Sequence, residues 1–309
     1  MTRDGVFLVV NPQAGKGKLG RDWPKLKKNL QEILHFNFEL TQKTGDATLL
    51  TQKALEKGYS LIVSMGGDGT LNECVTGFLK EGSPTHPKAT LGILPYGRGS
   101  DLARHLGISR DPLVAVTHLL SRQVQRLDVG KITWFKNGRK SKSRYFINNA
   151  YLGVGASTDY WSRRAPKFFG ATSGYLYGLV RGGLTFKPLS VRVITEKVER
   201  VFSVTNLVVA NGSYFGAGMY ASPKAEVDDG LLDVVVIKSM PLSKSFLFIP
   251  RLYRKDYIRD EDVEFFRARK IELSSAREGD QIPIQTDGDQ VNDLPVTIEI
   301  LPKILRFKV

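Results

Sequence analysis

The residues best suited to chemistry are Gly66-Gly67-Asp68-Gly69-Thr70, set between the apolar run Leu61–Met65 and a helix-compatible stretch, Leu71–Val75. Glycines at a strand-to-helix turn admit φ > 0 and let a ligand reach the main chain. The next helix N-terminus offers unpaired N–H groups to anionic oxygen. A nucleotide phosphate would sit here. Asp68 adds a carboxylate that can position a cation or a hydroxyl proton beside that phosphate, two tasks that phosphoryl transfer requires.

Two more glycine turns follow apolar runs. Asn11-Pro12-Gln13-Ala14-Gly15-Lys16-Gly17 comes after Val6–Val10, and Pro95-Tyr96-Gly97-Arg98-Gly99-Ser100-Asp101 after Thr90–Leu94. Neither has Walker A spacing or a complete dinucleotide fingerprint, so each depends on its place at the carboxyl edge of a sheet. Three turns on one edge favour a nucleotide cleft over three coincidental loops. Further along, Asp228-Asp229-Gly230 with Glu226 concentrates oxygen atoms that suit Mg²⁺, or else forms a polar β-turn. Asp287-Gly288-Asp289 reads as a hairpin turn, as a source of a hydroxyl-proton acceptor, or as both.

Positioning these turns requires a parallel sheet. Val6–Val10, Phe36–Leu40, Leu61–Met65 and Thr90–Leu94 alternate with amphipathic stretches at Trp23–Leu34, Ala47–Lys57 and Leu71–Leu79, the texture of strands flanked by helices. Two more helices are expected at Asp101–Leu106 and Pro112–Leu120, the second with Asp111 as N-cap. Beyond Val124 the texture turns β-branched and aromatic: Tyr145–Asn149, Leu189–Thr195, Phe202–Ala210, Leu231–Ile237, Lys270–Leu273 and Thr297–Ile300. That predicts a second, mostly antiparallel domain. The expected division is 1–127 and 128–301, with 302–309 available to return to the first domain.

The chain has 309 residues, 41% hydrophobic and 25% charged, enough for two domains. No apolar run approaches the roughly 18 residues of a spanning helix, and Val6–Val10 is too short for a signal peptide, so a cytoplasmic location is expected. Cys74 is the single cysteine, which excludes an internal disulfide framework and a multi-cysteine zinc site. His35, His86, His105 and His118 show no metal spacing, and no G-x-S-x-G elbow is present. A net charge of +14 attracts polyanions. Lacking any zinc-finger, RNP1 or helix-turn-helix pattern, the chain points to an anionic membrane surface; no nucleic acid is expected. Aromatics and cations interleave from Tyr160 to Phe169 and from Tyr175 to Arg181. This suits either a bilayer interface or a helix that covers the second sheet.

With these turns in order, the chain resembles the diacylglycerol kinase catalytic-domain family, which includes sphingosine and ceramide kinases. The resemblance runs from Asn11-Pro12-x-x-Gly15-x-Gly17 through Thr41, Gly45-Asp46-Ala47 and Gly66–Glu73 to Leu91–Pro95, Gly97, Gly99, Asp101 and Ala103-Arg104. It continues through Phe146-Ile147-Asn148, Gly153-Val154-Gly155, Asp228–Asp233 and Asp287-Gly288-Asp289. It implies an α/β N-terminal domain with a parallel sheet like that of phosphofructokinase and NAD kinase, and a β-sandwich-like C-terminal domain. ATP and Mg²⁺ are the implied cofactors. Nucleotide contacts carry over to Asn11, Thr41, Gly66, Gly67, Asp68, Gly69, Thr70 and Asn72, with Gly97, Arg98 and Gly99 on the same edge. The metal site carries over to the Asp229 carboxylate with the carbonyls of Glu226 and Leu231. The catalytic base falls at Asp289 or Asp287.

The chain departs from the family pattern at Arg98, Ser100, Ser157 and Asp289. Arg98 replaces a threonine with a permanent planar cation that can pair with phosphate oxygen. The expected function is an ATP- and Mg²⁺-dependent lipid kinase, peripherally associated with the membrane, that acts on a diacylglycerol-like or sphingoid/ceramide hydroxyl. Its oligomeric state is open between monomer and homodimer. The rival readings are a soluble-substrate kinase of the NAD kinase type and a non-catalytic lipid- or nucleotide-binding protein.

Overall fold

The structure is a computed structural model that describes residues 3–97, 99–136, 140–162, 164–166, 171–215, 218–220, 222–241, 244, 251–254 and 260–309. The N-terminal half alternates strand and helix: β1 (Arg3–Val10), α1 (Ala14–Gln31), β2 (Phe36–Leu40), α2 (Asp46–Glu56), β3 (Tyr59–Gly66) and α3 (Asp68–Phe78). A short hairpin, β4 (Leu79–Lys80) and β5 (Ser83–Pro84), leads to β6 (Thr90–Pro95), α4 (Asp101–His105) and α5 (Pro112–Leu120). Strands β2, β1, β3 and β6 lie side by side, all parallel. β6 is buried along its whole length, as a parallel strand covered on both faces must be. In α2, Ala47, Leu50, Thr51, Ala54 and Leu55 are buried at three- and four-residue intervals, giving the stripe that meets the sheet.

The second half is mostly antiparallel. It comprises β7 (Val124–Lys136), β8 (Lys140–Phe146), β9 (Asn149–Gly153), α6 (Val154–Ser162), α7 (Ala171–Thr185), β10 (Leu189–Ile194) and β11 (Glu199–Ala210). Then come β12 (Tyr214–Phe215), β13 (Met219–Tyr220), β14 (Leu232–Lys238), β15 (Val263–Ala268), β16 (Lys270–Ser275), β17 (Pro283–Thr286), β18 (Asp289–Asp293) and β19 (Val296–Lys308). The two halves share one sheet, because β19 pairs antiparallel with β7 and β16 and, through Phe307 opposite Leu91, parallel with β6.

The β7–β19 ladder carries two cores in succession. Ile132, Val296, Ile298 and Ile300 belong to the antiparallel core, whereas Leu127, Val129, Leu305 and Phe307 belong to the core beneath the parallel strands. Between them the register shifts from Leu301 to Leu305. Asp128 sits fully buried at this break, and its carboxylate accepts the Gly230 and Lys303 amides, each at 2.6 Å. Burial raises its pKa, reinforced by the charges of Asp229 and Asp228.

Two of the departures from the sequence expectation lie close to the glycine and aspartate turns. The right-handed part of α1 begins at Lys18, earlier than Trp23, directly after Gly15, Lys16 and Gly17, whose left-handed angles kink the chain at the glycine turn. The expected single strand Tyr145–Asn149 is broken between Phe146 and Asn149, since the Ile147, Asn148 and Asn149 amides turn toward the Asp287 carboxylate. Most of Leu242–Arg254 lies outside the described residues; 251–254 are helical. Phe307, wholly buried where β19 meets the parallel sheet, supplies a test of this joint. Phe307→Ala should cost about 3–5 kcal/mol in urea unfolding by removing a large ring from a site unable to collapse fully.

Candidate active site

All the parallel strands end at one edge, and their turns are tied to one another. After β1, Asn11 Nδ2 donates to Thr70 Oγ1 at 2.9 Å, while Asn11 Oδ1 accepts the Gln13 amide. This bond spans the gap between the ends of β1 and β3, where the connections diverge to opposite sides of the sheet and ligands collect. Thr41, at the end of β2, is buried and hydrogen-bonded through its amide to Val10 O.

The turns after β3 and β6 are locked face to face. Tyr96 N donates to Gly66 O, and a Cβ added at Gly97 would come 2.7 Å from Gly67 Cα. A side chain at position 97 would hold these main chains apart, so the contact requires glycine there. Across the contact, Asp68 accepts the Ser100 amide at 2.8 Å through Oδ2 and the Asp101 amide at 2.9 Å through Oδ1. Burial raises the Asp68 pKa, opposed by these amide bonds and by the positive charge of Arg110. Arg110 itself donates to Gly97 O at 3.1 Å. The α3 N-terminus has no side-chain cap, so its first amides remain directed at the edge. Gly69 is exposed beside them, whereas Asn72 is turned inward: it is 2% exposed and its Nδ2 donates to Tyr145 O. Gly99 lies in the same turn as Gly97, and Arg98 lies outside the described residues.

The β17–β18 hairpin brings a second carboxylate. Asp287 and Gly288 have φ of 46° and 89°, the two left-handed residues of a tight hairpin turn. In that position Asp287 accepts three main-chain amides: Ile147 at 2.9 Å, Asn148 at 3.1 Å and Asn149 at 3.0 Å. Burial pushes its pKa up to about 6 against the pull of those bonds, and the nearby charge of Asp68 adds to the rise. The first and second halves of the chain therefore each deliver one carboxylate to the same place. Asp289 is held differently, in a 2.7 Å ion pair with Arg144, and its side chain is 43% exposed.

The Asp228–Asp229–Gly230 turn is tied down by its own set of bonds. Asp229 Oδ1 accepts the Leu231 amide at 3.0 Å, and Oδ2 lies 3.3 Å from Arg267 Nη1. Asp228 receives the Gln125 amide group, and Glu226 is exposed. Among the described residues no group of three histidine, cysteine or acidic side chains is arranged to hold a metal ion. A cation here would rest on the Asp229 carboxylate and main-chain oxygens.

Known proteins share this architecture. Residues 148–309 match the YegS C-terminal NAD kinase beta sandwich-like domain, and residues 5–132 match the diacylglycerol kinase catalytic domain. A probable lipid kinase, YegS-like, of Chromohalobacter salexigens is 32% identical over 257 residues, spanning 82% of this chain and 78% of its own. The chain belongs to the diacylglycerol kinase catalytic-domain family. A diacylglycerol kinase of Staphylococcus carnosus is 28% identical over 292 residues, 93% of this chain and 89% of its own. The crystal structure of a putative diacylglycerol kinase from Bacillus anthracis superposes with a TM-score of 0.77 over 100% of this chain and 96% of its own; at 24% identity it speaks for the fold.

In this diacylglycerol kinase family member, sequence reading passes over three residues that hold the site. Glu73 caps α2, accepting Gly45 N at 2.9 Å and Ala47 N at 3.1 Å, and so fixes the loop that follows Thr41. Its signal is indirect: α2 starts at Gly45 with no cap of its own. Arg110 and Asn149 leave no pattern, since each acts across more than ten residues. Glu73→Ala should cost about 1–2 kcal/mol of stability and speed hydrogen exchange at the Gly45 and Ala47 amides.

Proposed function

We propose that the protein is an ATP- and Mg²⁺-dependent kinase that phosphorylates a hydroxyl of a diacylglycerol-like or sphingoid/ceramide lipid. The observation that carries this reading is the approach of Asp287 to Asp68 at the edge where the glycine turns converge. The uncapped α3 amides suit nucleotide phosphates, with Asn11, Thr41, Gly66, Gly67, Gly69, Thr70, Gly97 and Gly99 around them. Asp68 keeps the two turns in register. Asp287 accepts the proton of the acceptor hydroxyl as its oxygen bonds to the γ-phosphorus and the bridging bond to ADP breaks. A carboxylate with a pKa near 6 is a better base than an exposed one already paired with arginine, which favours Asp287 over Asp289. Mg²⁺ would neutralise phosphate charge, with the Asp229 carboxylate and the Glu226 and Leu231 carbonyls as its protein ligands; the charges of Asp228 and Asp229 gathered around Asp128 suit a cation.

The aromatic-rich α6–α7 pair, with Arg164 just beyond α6 and Arg181 in α7, forms the membrane-facing surface in this reading. In the packed α6–α7 pair, Tyr160 and Leu184 are 48% and 61% exposed, Arg164 stacks 3.5 Å over the Tyr160 ring, and Arg181 lies 5.0 Å over Trp161. Rings at headgroup depth with cations beside them fit an anionic bilayer. Of the basic and aromatic stretch, Arg163, Lys167, Phe168 and Phe169 lie outside the described residues. No helix among the described residues is long and apolar enough to cross a membrane.

Radiolabelled ATP with mixed lipid micelles tests the chemistry. Asp287→Asn and Asp68→Asn should each reduce kcat by about 10²-fold or more, whereas Asp289→Asn should retain most of it. Because Asp287 must be ionised to accept the proton, kcat should rise with pH through about 6 and level off above it. Full activity in Asp287→Asn would assign the base elsewhere. Vesicle sedimentation tests the surface: the double change Arg164→Glu and Arg181→Glu should abolish binding to phosphatidylglycerol vesicles and leave weak binding to phosphatidylcholine unchanged.

A further inference from the structure

Arg104 is a cation whose Nε is not spent on the fold among the described residues. It lies on α4, one helical step from Asp101, whose amide is held by Asp68. Its Nε is buried without a hydrogen-bond partner, an expensive condition for a guanidinium unless a ligand supplies the acceptor. Among the described residues, Arg110 also lies close to these turns, and it is committed to Gly97 O and to the field of Asp68.

The surroundings of Arg104 are shaped to hold it in place. Its Cζ lies 5.6 Å from the centroid of the Tyr214 ring, and the Tyr214 and Tyr220 rings lie tilted with centroids 4.6 Å apart and a 3.1 Å bond between their hydroxyls. Gly218, between these tyrosines, has φ of 107°, and a Cβ there would come 3.1 Å from Arg104 Cζ. The next residue, His105, is tied by Nδ1 to Ser213. The Tyr214 carbonyl accepts Asn149 Nδ2, and the Asn149 amide is one of the three on Asp287. Arg104 is thus connected through α4 to Asp68 and through Tyr214 to Asp287.

Two carboxylates in one cleft repel a phosphoryl group, and a protein cation on the side where the product forms offsets that repulsion beside any metal on the nucleotide phosphates. Resting on the kinase reading above, we propose that Arg104 binds the phosphate monoester on the acceptor side, receiving the oxygens of the group just transferred to the lipid. A planar guanidinium stacked on tyrosine has the geometry for bidentate phosphate recognition, which a lysine at the same place lacks.

Calorimetric titration with dihexanoyl phosphatidic acid, dihexanoylglycerol and inorganic phosphate tests the assignment. Arg104→Met should weaken phosphatidic acid binding at least tenfold with dihexanoylglycerol binding unchanged, and Arg104→Lys should fall between the two. In turnover assays Arg104→Met should lower kcat without raising the KM for ATP, and added guanidinium should restore part of the loss. Circular dichroism and thermal unfolding establish that the variants are folded; if Arg104→Met is not, Arg104→Lys and Tyr214→Phe carry the comparison, each expected to weaken phosphatidic acid binding. Unchanged phosphatidic acid binding in folded variants overturns the assignment, as does Arg104-dependent binding of inorganic phosphate alone. If the wild-type protein binds phosphatidic acid through Arg104 yet phosphorylates no lipid, the kinase reading fails and the phosphate site stands.

Discussion

The site depends on carboxylates that bind main-chain amides rather than side chains. Asp68 holds the Ser100 and Asp101 amides, and through them fixes the turn after β6 against the turn after β3. Beyond the Tyr96–Gly66 bond that ends the β3–β6 pairing, that carboxylate holds the far side of the turn, at Ser100 and Asp101, against the contact of Gly67 with Gly97. Amide donors at a carboxylate are charge-assisted, and in a partly buried place they are worth more than an exposed ion pair. The same bond type at Asp287 gathers three consecutive amides and interrupts a strand to do so. Each carboxylate is shaped by the chain it grips, and burial, with a smaller contribution from the Asp68 charge, raises the proton affinity of Asp287.

Bringing the carboxylates together is the work of β7 and β19. These strands run from one hydrophobic core into the other, so the relative placement of the two halves is set by a hydrogen-bonded ladder rather than by a linker. Asp128 sits at the register break in that ladder, bridging Gly230 and Lys303. A buried carboxylate in this place gains its bonds only when β7, β19 and the turn before β14 are all in position, which couples the joint to the Asp229 turn. Loss of any one partner would leave a buried acceptor unsatisfied.

Much of the parallel half was legible in the residues themselves. Leu61–Met65 and Thr90–Leu94 are continuous apolar runs bounded by glycine turns, a pattern that specifies buried parallel strands, and Asp111-Pro112 marks a helix start that α5 adopts. The antiparallel half was legible as texture, with strands found near Leu189–Thr195 and Phe202–Ala210. The broken strand at Phe146–Asn149 was not, because a carboxylate more than a hundred residues away causes the break. Asn72 shows the same limit: its motif places it with the phosphate-binding turn, while the fold directs its amide into the interior toward Tyr145.

The chain by itself determined which residues lie in turns at strand ends, because glycine, proline and aspartate act on the backbone locally and hydrophobic period distinguishes strand from helix. It also determined that two aspartate turns exist in the second half. Only the tertiary structure gave Asp287 and Asp289 different surroundings. They are two residues apart, yet one is turned onto three amides beside Asp68 and the other onto Arg144 near solvent. That difference comes from the left-handed hairpin turn together with the long-range pairing of β17 with β9. No local pattern encodes it, since the environment that tunes a carboxylate is built from groups distant in sequence.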